Sequence, residues 1–179
     1  DQKSKYKLVN LENNIGYGHG IMTGVKETSG DIIAWTHADL QTNPKDIINA
    51  FDTYINIPNY EDSIIKGKRI NRNFFDFFFT YCMGLISSFI LNVKVSDINA
   101  QPKMFHRNFL NELKNYPNDF SLDLYFLYIA KIKGYKIHEY HVKFEKRMFG
   151  KSKGGGTILG KIKLITRTFK YIFRLKNNI

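Results

Sequence analysis

The stretch "DIIAWTHADLQTNP", residues 31–44, decides the fold. Its first six residues have the length of a strand and contain the continuous apolar run Ile32-Ile33-Ala34-Trp35, which is typical of a strand buried on both faces. A polar cluster with His37, Asp39 and Gln41 follows at once. The pattern therefore predicts a strand that delivers an imidazole, an acid and an amide to its carboxyl end.

The sequence around this stretch alternates between strand and helix signals. Asn43 and Pro44 have the form of a helix start, because Asn caps helices and Pro favours the first turn. This alternation predicts an α/β fold, with a mostly parallel sheet flanked by helices. Ligands bind at the carboxyl ends of the strands in such sheets. We expect strands at 7–9, 31–36, 63–69, 103–105 and 135–147, and helices ending near Gly30, over 43–56, after 105 and over 121–134.

The chain is strongly basic. Its 179 residues carry 27 Lys and Arg against 16 Asp and Glu, a formal charge of +11, while 43% of residues are hydrophobic. This charge suggests an anionic partner such as nucleic acid, acidic lipid or a phosphate-bearing substrate, although solubility alone is the simpler explanation. Cys82 is the single cysteine, which excludes an internal disulfide and a metal site built from cysteines.

Two apolar segments stand apart from this alternation. Residues 74–93 form the most apolar run, close to the about 20 residues that a membrane span needs, yet Asp76 and several hydroxyl side chains interrupt it. We expect a buried or membrane-grazing helix there. The tail, 158–176, places apolar and basic residues on separate helical stripes and contains no acidic residue. Such a helix either lies in a membrane interface or packs on its own domain or a partner.

Asp39 and Gln41 are two residues apart. In an extended segment their side chains point the same way, so both oxygens could hold a hard divalent cation together with substrate phosphates. A loop-capping role for Asp39 is the commoner explanation of such a pair.

The motifs, taken in order, resemble a known family. Asn14-x-Gly16-x-Gly18, Gly24, Ser29-Gly30-Asp31, "HADLQTNP", "KGKR" (66–69), Asp97 and "RMFGKSK" (147–153) follow one another. This order resembles the family 2 glycosyltransferases of the GT-A, Rossmann-like fold, especially the polyprenyl-phosphate (dolichol-phosphate mannose-type) sugar transferases. The resemblance covers roughly residues 8–153.

The resemblance implies an enzyme that uses a nucleotide-diphosphate sugar and a divalent metal, Mg²⁺ or Mn²⁺. Asp39 and Gln41 would be the metal and diphosphate ligands. His37 stands where the family usually has its first Asp. A neutral imidazole binds a metal, with a preference for softer ions, or hydrogen-bonds a phosphate or ribose.

Basic residues complete the implied site. Arg69 matches the basic residue after the family's third strand. Arg147, Ser152 and Lys153 match a loop that resembles a clamp for the diphosphate or the acceptor phosphate. Arg binds phosphate through a rigid fork and Lys acts as a point charge. A flexible basic loop is the plainer alternative for these three residues.

The acceptor decides whether catalysis needs a base. A lipid phosphate is already anionic near neutral pH, so positioning and charge neutralisation would suffice. A sugar hydroxyl needs a carboxylate base, for which Asp97 is the first candidate and Asp123 the second. Either carboxylate could instead be a cap or turn residue.

The family's first βα elements, which bind the nucleobase and ribose, have no counterpart here. We therefore expect an N-terminally truncated GT-A domain at 1–156 and a basic amphipathic helix at 157–179. The leading hypothesis is an inverting, metal-assisted transferase at the cytoplasmic, inner face of a membrane. It would act on a polyprenyl-phosphate or a cell-envelope glycan, with a homo-oligomer possible. One alternative is a non-catalytic remnant that binds a membrane or a partner subunit. Another is a nucleic-acid-binding domain, although the sequence contains none of the usual nucleic-acid-binding motifs.

Overall fold

A computed structural model describes residues 6–72, 74–145 and 158–177. Within these ranges a four-stranded sheet is flanked by helices, which confirms the mixed α/β class. The strands are β1 (Ile32–Trp35), β2 (Ser63–Ile70), β3 (Lys103–His106) and β4 (Lys136–Lys143). The helices are α1 (Tyr17–Lys26), α2 (Lys45–Ile55), α3 (Phe74–Leu91), α4 (Leu122–Ile132) and α5 (Ile158–Asn177), with 3₁₀ turns at Tyr60–Asp62 and Arg107–Glu112.

The strand order is β1-β3-β2-β4. β3 runs antiparallel to both of its neighbours, whereas β2 and β4 are parallel. Strands β1, β2 and β4 therefore share one direction, as a mostly parallel sheet requires, but two of the three pairings are antiparallel. That detail corrects the expectation. An apolar run predicts a strand and says nothing of its partner, and the chain after β2 returns to the edge where β2 ends.

Local signals set most of the element bounds. The side chain of Asn43 accepts the backbone N–H of Lys45 at 3.0 Å and so caps the start of α2, as expected. Gly134, with φ of 81°, follows the end of α4. The predicted strand at 7–9 is wrong: this segment has no strand partner, and Leu8 is 77% exposed.

The core lies in two layers, one on each face of the sheet. Ile33 and Trp35 of β1 point into the layer formed with α1 and α4, whereas Ile65 and Met104 point into a smaller layer under α2. Ala50 and Tyr54 form the buried side of α2. The helical spacing of residues 43–56 predicts an apolar side made of Ile47, Ile48, Phe51 and Tyr54 or Ile55. That prediction is partly wrong, because Ile48, Phe51 and Ile55 are exposed.

The two segments that stood apart in the sequence pack against each other as α3 and α5. Ile172 of α5 is fully buried in the main core, and Tyr171 and Leu175 pack on that core. This part of the tail helix thus docks on its own domain, which is one of the two expected alternatives. The expected boundary at 156/157 lies outside the described residues. In the part of the chain that the structure describes, no helix has the length and apolar character needed to cross a membrane.

Candidate active site at the carboxyl edge of the sheet

The predicted site residues gather at one edge of the sheet. Because β1, β2 and β4 share a direction, the segments that follow Trp35, Ile70 and Lys143 leave from the same edge. β3 begins there as well, so the loop that precedes it, residues 92–102, contributes to this edge. The sequence prediction that "HADLQ" and "KGKR" meet at the ligand edge is consistent with this arrangement.

The segment after β1 forms a tight turn. Leu40 has a φ of 57°, and the carboxylate of Asp39 accepts the backbone N–H of Gln41 at 3.2 Å. The segment is therefore not extended, and the expectation that Asp39 and Gln41 point the same way for that reason is wrong. Asp39 does serve the loop as an acceptor, which was the plainer explanation. The ligand roles of both residues stay predictions.

The turn after β1 is tied to the segment after β4. The backbone N–H of Glu145 donates to the carbonyl of Gln41 at 2.8 Å, and the Gln41 amide donates to the Glu145 carbonyl at 3.4 Å. This pairing joins the proposed diphosphate loop to the segment that leads into "RMFGKSK". Arg147, Ser152 and Lys153 themselves lie outside the described residues.

His37 is half-buried beside the ring of Phe144, with the two ring centroids 5.9 Å apart. Burial lowers the pKa of His37; the charge of Asp39 opposes this shift and that of Arg69 adds to it. The imidazole is therefore neutral at physiological pH. Its Nε2 atom is buried and has no hydrogen-bond partner among the described residues. A buried polar atom without a partner is costly, so this nitrogen is suited to an incoming ligand.

Arg69 and Asp97 form the central ion pair of the edge. The backbone N–H of Arg69 donates to Asp97 at 2.8 Å and its Nε donates at 2.9 Å, with a third hydrogen bond from its terminal NH₂. Arg72 lies 3.5 Å from the same carboxylate. Burial alone would raise the pKa of Asp97, but the hydrogen bonds and charge of Arg69 outweigh burial and lower it. Asp97 is thus held ionised and fully engaged.

Phe144 connects this ion pair to His37. The Arg69 guanidinium lies over the Phe144 ring, 5.2 Å from its centroid, and the ring also meets His37 edge to face. Sequence reasoning did not single out Phe144. An aromatic residue near the carboxyl end of the predicted strand at 135–147, at the edge where ligands bind, was the available signal.

Gly67 allows the loop before β3 to approach β2. A Cβ atom at this position would stand 2.0 Å from the carbonyl oxygen of Gln101, and the Gly67 N–H donates to the Pro102 carbonyl at 2.7 Å. Only glycine fits such a close backbone contact. The glycine of "KGKR" therefore brings Asp97 within reach of Arg69.

A second charge cluster, which the sequence did not reveal, fixes the same loop. Lys66 is 2% exposed, and its ammonium donates to the Ser96 carbonyl at 2.8 Å and lies 3.3 Å from Glu139. Glu139 also accepts from Lys68 at 2.7 Å and from the Ser96 hydroxyl at 2.8 Å. Partial burial opposes ionisation of Glu139, but these hydrogen bonds and charges dominate and lower its pKa to about 2. The cluster anchors Ser96, the neighbour of Asp97.

Asp123 belongs to a buried network below the edge. It is 1% exposed and accepts from Lys103 at 2.6 Å, from Gln101 at 3.2 Å and from Tyr17 at 3.0 Å. Lys103 is fully buried; burial lowers its pKa while Asp123 opposes that shift. These contacts favour a structural role for Asp123, and its role as a base stays a prediction.

The side chains near the turn after β1 suit a metal ion that takes most of its ligands from substrate phosphates. Among the described residues, no group of three His, Cys, Asp or Glu side chains is placed to form a metal cage. One carboxylate, Asp39, with the Gln41 amide and the buried His37 nitrogen, makes a sparse set. Mg²⁺ in phosphate-transfer sites commonly binds one or two carboxylates and takes its other ligands from water and phosphates.

A cavity of about 820 Å³ lies elsewhere, between α4, α5 and the loop at 114–119. Lys114, Tyr128 and Arg174 are among its lining residues, and none of the predicted site residues that the structure describes lines it. The chemistry-bearing side chains therefore converge at the sheet edge and not in this cavity.

The sequence model of the family described as "Glycosyl transferase family 2" matches residues 1–114. This range holds β1 with its turn, β2 with Arg69, the loop with Asp97, and β3. The match covers more than half of the chain, and the observed α/β architecture is consistent with part of a GT-A-like domain. Membership indicates a glycosyltransferase without indicating which one. The chain belongs to glycosyltransferase family 2.

Proposed function

We propose that the full-length protein transfers a sugar, with inversion, from a nucleotide-diphosphate sugar to a lipid phosphate of the polyprenyl type. The observation that carries this proposal is the engagement of Asp97 by Arg69 at the ligand edge. The family supplies glycosyl transfer in general, and the donor, the acceptor and the metal are the proposed parts.

The donor would bind at the turn after β1. Asp39, Gln41 and the buried nitrogen of His37 are the protein groups that would hold Mg²⁺ or Mn²⁺. The ion would neutralise the diphosphate leaving group. Arg69 lies close enough to His37 to affect its pKa, so its positive charge adds to the same field. Charge neutralisation by fixed groups is the main catalytic effect in such a site.

The choice of acceptor rests on whether Asp97 or Asp123 could act as a general base. A general base works best when its pKa is near the operating pH. The pKa of Asp97 is lowered by Arg69, and Asp123 is buried against Lys103. Neither carboxylate is suited to take a proton from a sugar hydroxyl. A phosphate acceptor needs no base, because it is already anionic near neutral pH. A glycan hydroxyl acceptor is therefore the second choice.

Arg147, Ser152 and Lys153 are proposed to clamp the acceptor phosphate or the diphosphate. Their support is the resemblance of the motif "RMFGKSK" to the family's basic loop, together with the attachment of Glu145 to Gln41 just before them in the chain. Arg and Lys side chains suit a phosphate in this way.

Donor binding tests the first half of the proposal. Calorimetric titration of the full-length protein with UDP- and GDP-sugars, with and without Mn²⁺, should show metal-dependent binding to one of them. Asp39→Ala should weaken that binding about tenfold or more, since it removes the one carboxylate of the metal set. Asp52→Ala, at an exposed aspartate on α2, is the matched control and should leave binding unchanged. Nucleotide-sugar binding that depends on neither the metal nor Asp39 would overturn the proposed donor site.

Acceptor choice tests the second half. A short-chain polyprenyl phosphate should accept the sugar, whereas the corresponding polyprenol, with a hydroxyl in place of the phosphate, should not. Proton NMR of the product should show inversion at the anomeric carbon. Transfer to the hydroxyl compound alone would contradict the phosphate acceptor and restore the need for a base.

A further inference from the structure

We propose that the exposed aromatic face of α3 docks on an anionic lipid bilayer, with basic residues of α5 supplying the accompanying charge. The aromatic face comprises Phe74, Phe75, Phe77, Phe78, Tyr81 and Phe89, which are between 51% and 88% exposed. The proposal concerns a surface and does not depend on the proposed sugar transfer.

The helix α3 is inverted relative to an ordinary surface helix. Ser87 is fully buried, whereas Phe89, two residues later, is 88% exposed. Gly84 is buried so close to the loop after α3 that a Cβ there would lie 3.2 Å from the Val95 carbonyl. Before its last turn, where Ile90 and Leu91 reach the core, α3 thus turns small residues towards the protein and large aromatic residues outwards. A surface helix of a globular protein shows the opposite pattern.

The aromatic residues form one continuous surface. At 100° per residue, the six side chains fall within an arc of about 160°, close to half of the helix circumference. Phe74 stacks on Phe78 at 6.3 Å between ring centroids, and Phe77 stacks on Tyr81 at 6.0 Å. Soluble monomers rarely expose an apolar patch of this extent, and such patches mark protein or membrane contacts.

The charge of the chain favours a bilayer over a second copy. Two copies carrying +11 each repel one another, whereas anionic lipid headgroups attract the same charge. The helix α5, which packs against α3, presents Lys170 and Arg174 on exposed positions, and also Arg167, which lies 3.7 Å from Asp119. Its buried Ile172 anchors it to the core. The tail helix therefore contributes charge beside α3, while α3 contributes the apolar surface. This combination is typical of helices that lie in a membrane interface.

The docking surface begins at the sheet edge that carries the candidate site. β2 ends at Ile70 and α3 begins at Phe74, so the two elements are close neighbours in the chain. Arg72 lies 3.5 Å from Asp97 and donates to the hydroxyl of Thr80 on α3 at 2.7 Å. A bilayer bound to α3 would thus lie beside the Arg69–Asp97 pair.

Vesicle flotation of the full-length protein tests the apolar part of the proposal. The probes are vesicles of phosphatidylcholine alone and vesicles that also contain phosphatidylglycerol. The triple variant Phe74→Gln, Phe78→Gln, Phe89→Gln should bind the mixed vesicles about tenfold or more weakly, because three apolar contacts are lost. The matched control Ile48→Gln, Phe51→Gln, Ile55→Gln removes the exposed apolar side of α2 and should bind like the wild type.

The charge is tested separately. Lys170→Gln with Arg174→Gln should weaken binding to the mixed vesicles about thirtyfold, because each basic residue near an anionic surface contributes on the order of 1 kcal/mol. Binding to phosphatidylcholine alone should not change. Lys131→Gln with Lys136→Gln, at exposed positions on α4 and β4, is the control pair. Added salt should weaken the binding of the wild-type protein to the mixed vesicles until it approaches that of the charge variant.

Three results would overturn the proposal. The first is wild-type protein that binds neither kind of vesicle, and the second is a triple variant that binds as well as the wild type. The third is a concentration-dependent dimer, measured by light scattering, that the triple variant abolishes while no vesicle binding is seen; the face would then bind a second copy. Nucleotide-sugar binding, measured in the same variants, should stay at the wild-type level and separates this result from the fate of the transferase proposal.

Discussion

Arg69 binds Asp97 through its backbone N–H and its side chain at the same time. This double attachment ties β2 to the loop before β3, and Gly67 two residues earlier makes the approach possible. Asp97 has a φ of 38°, in the left-handed region, so the loop holds it in a conformation that is uncommon for an aspartate. The pair therefore organises the ligand edge in addition to any role with substrate.

Asp97→Asn should destabilise the fold. The side chains of Arg69 and Arg72 are only 11% and 10% exposed, and the change would leave both charges without their carboxylate. Breaking a largely buried pair in this way costs about 3 kcal/mol. Urea unfolding measures the loss. Glu112→Gln, which breaks the exposed pair with Lys133, is the control and should have a much smaller effect. Equal losses in the two variants would argue against a structural role for Asp97.

Gly67→Ala should lower the free energy of unfolding by about 2 kcal/mol, since an added methyl group overlaps the Gln101 carbonyl and the backbone must move. Gly24→Ala is the matched control. A Cβ at Gly24 meets nothing within 4 Å, and the residue lies inside α1, so this change should stabilise the fold by about 0.5 kcal/mol. Thermal unfolding of both variants decides the matter, and a neutral Gly67→Ala would show that the loop does not need the close contact.

The sequence was sufficient for the strand β1, the polar cluster after it and the cap of α2, but it missed the tight turn that this cluster forms. Those features depend on neighbours in the chain: an apolar run, a polar cluster and an Asn before Pro. The antiparallel insertion of β3 could not be read in the same way, because its partners on both sides are more than 30 residues distant. Local pattern predicts that a strand forms and leaves its direction open.

The burial of charged side chains could not be predicted from the sequence either. Lys66 and Lys103 are 2% and 0% exposed, although lysine is almost never fully buried unless it is paired. Their partners, Glu139 and Asp123, come from β4 and α4. A lysine in a strand predicts an exposed position until the fold supplies the carboxylate. For the apolar run of α3 the sequence left two alternatives open, a buried helix or a membrane-grazing one, and only the fold shows that its aromatic side chains face outwards.

The cluster around Glu139 should make the fold sensitive to acid. The folded pKa of Glu139 is about 2, whereas an unfolded glutamate has a pKa of about 4.3. As pH falls through this window, the unfolded chain binds the proton first, so the free energy of unfolding decreases. The contribution is complete above about pH 4.5 and is lost towards about pH 2.

Urea unfolding at successive pH values between about 6 and about 3 measures this effect. Glu139→Gln should give a flatter dependence on pH than the wild type, with lower stability at neutral pH. Glu61→Gln, an exposed glutamate near the opposite end of β2, should follow the wild type closely. If the Glu139 variant and the wild type lose stability in parallel, the lysines do not hold Glu139 ionised.

His37→Asp distinguishes the two roles proposed for the histidine. The change places a second carboxylate beside Asp39, so in the absence of metal the two negative charges repel and thermal stability should fall. A divalent cation would bind between them, because carboxylates are the ligands that Mg²⁺ and Mn²⁺ favour. Added Mn²⁺ should then raise the unfolding temperature above that of the wild type and make donor binding about tenfold more metal-dependent.

His37→Asn is the control, since it removes the imidazole without adding charge. In this variant Mn²⁺ should not raise the unfolding temperature above that of the wild type, and donor binding should not become more metal-dependent. If His37→Asp and His37→Asn weaken donor binding equally with Mn²⁺ present, the buried Nε2 atom serves as a hydrogen-bonding contact to phosphate or ribose. The metal site would then depend on Asp39 and Gln41 alone. A gain confined to His37→Asp would instead mean that the position of residue 37 lies within the metal's coordination sphere, and that the histidine is a variant ligand at that place.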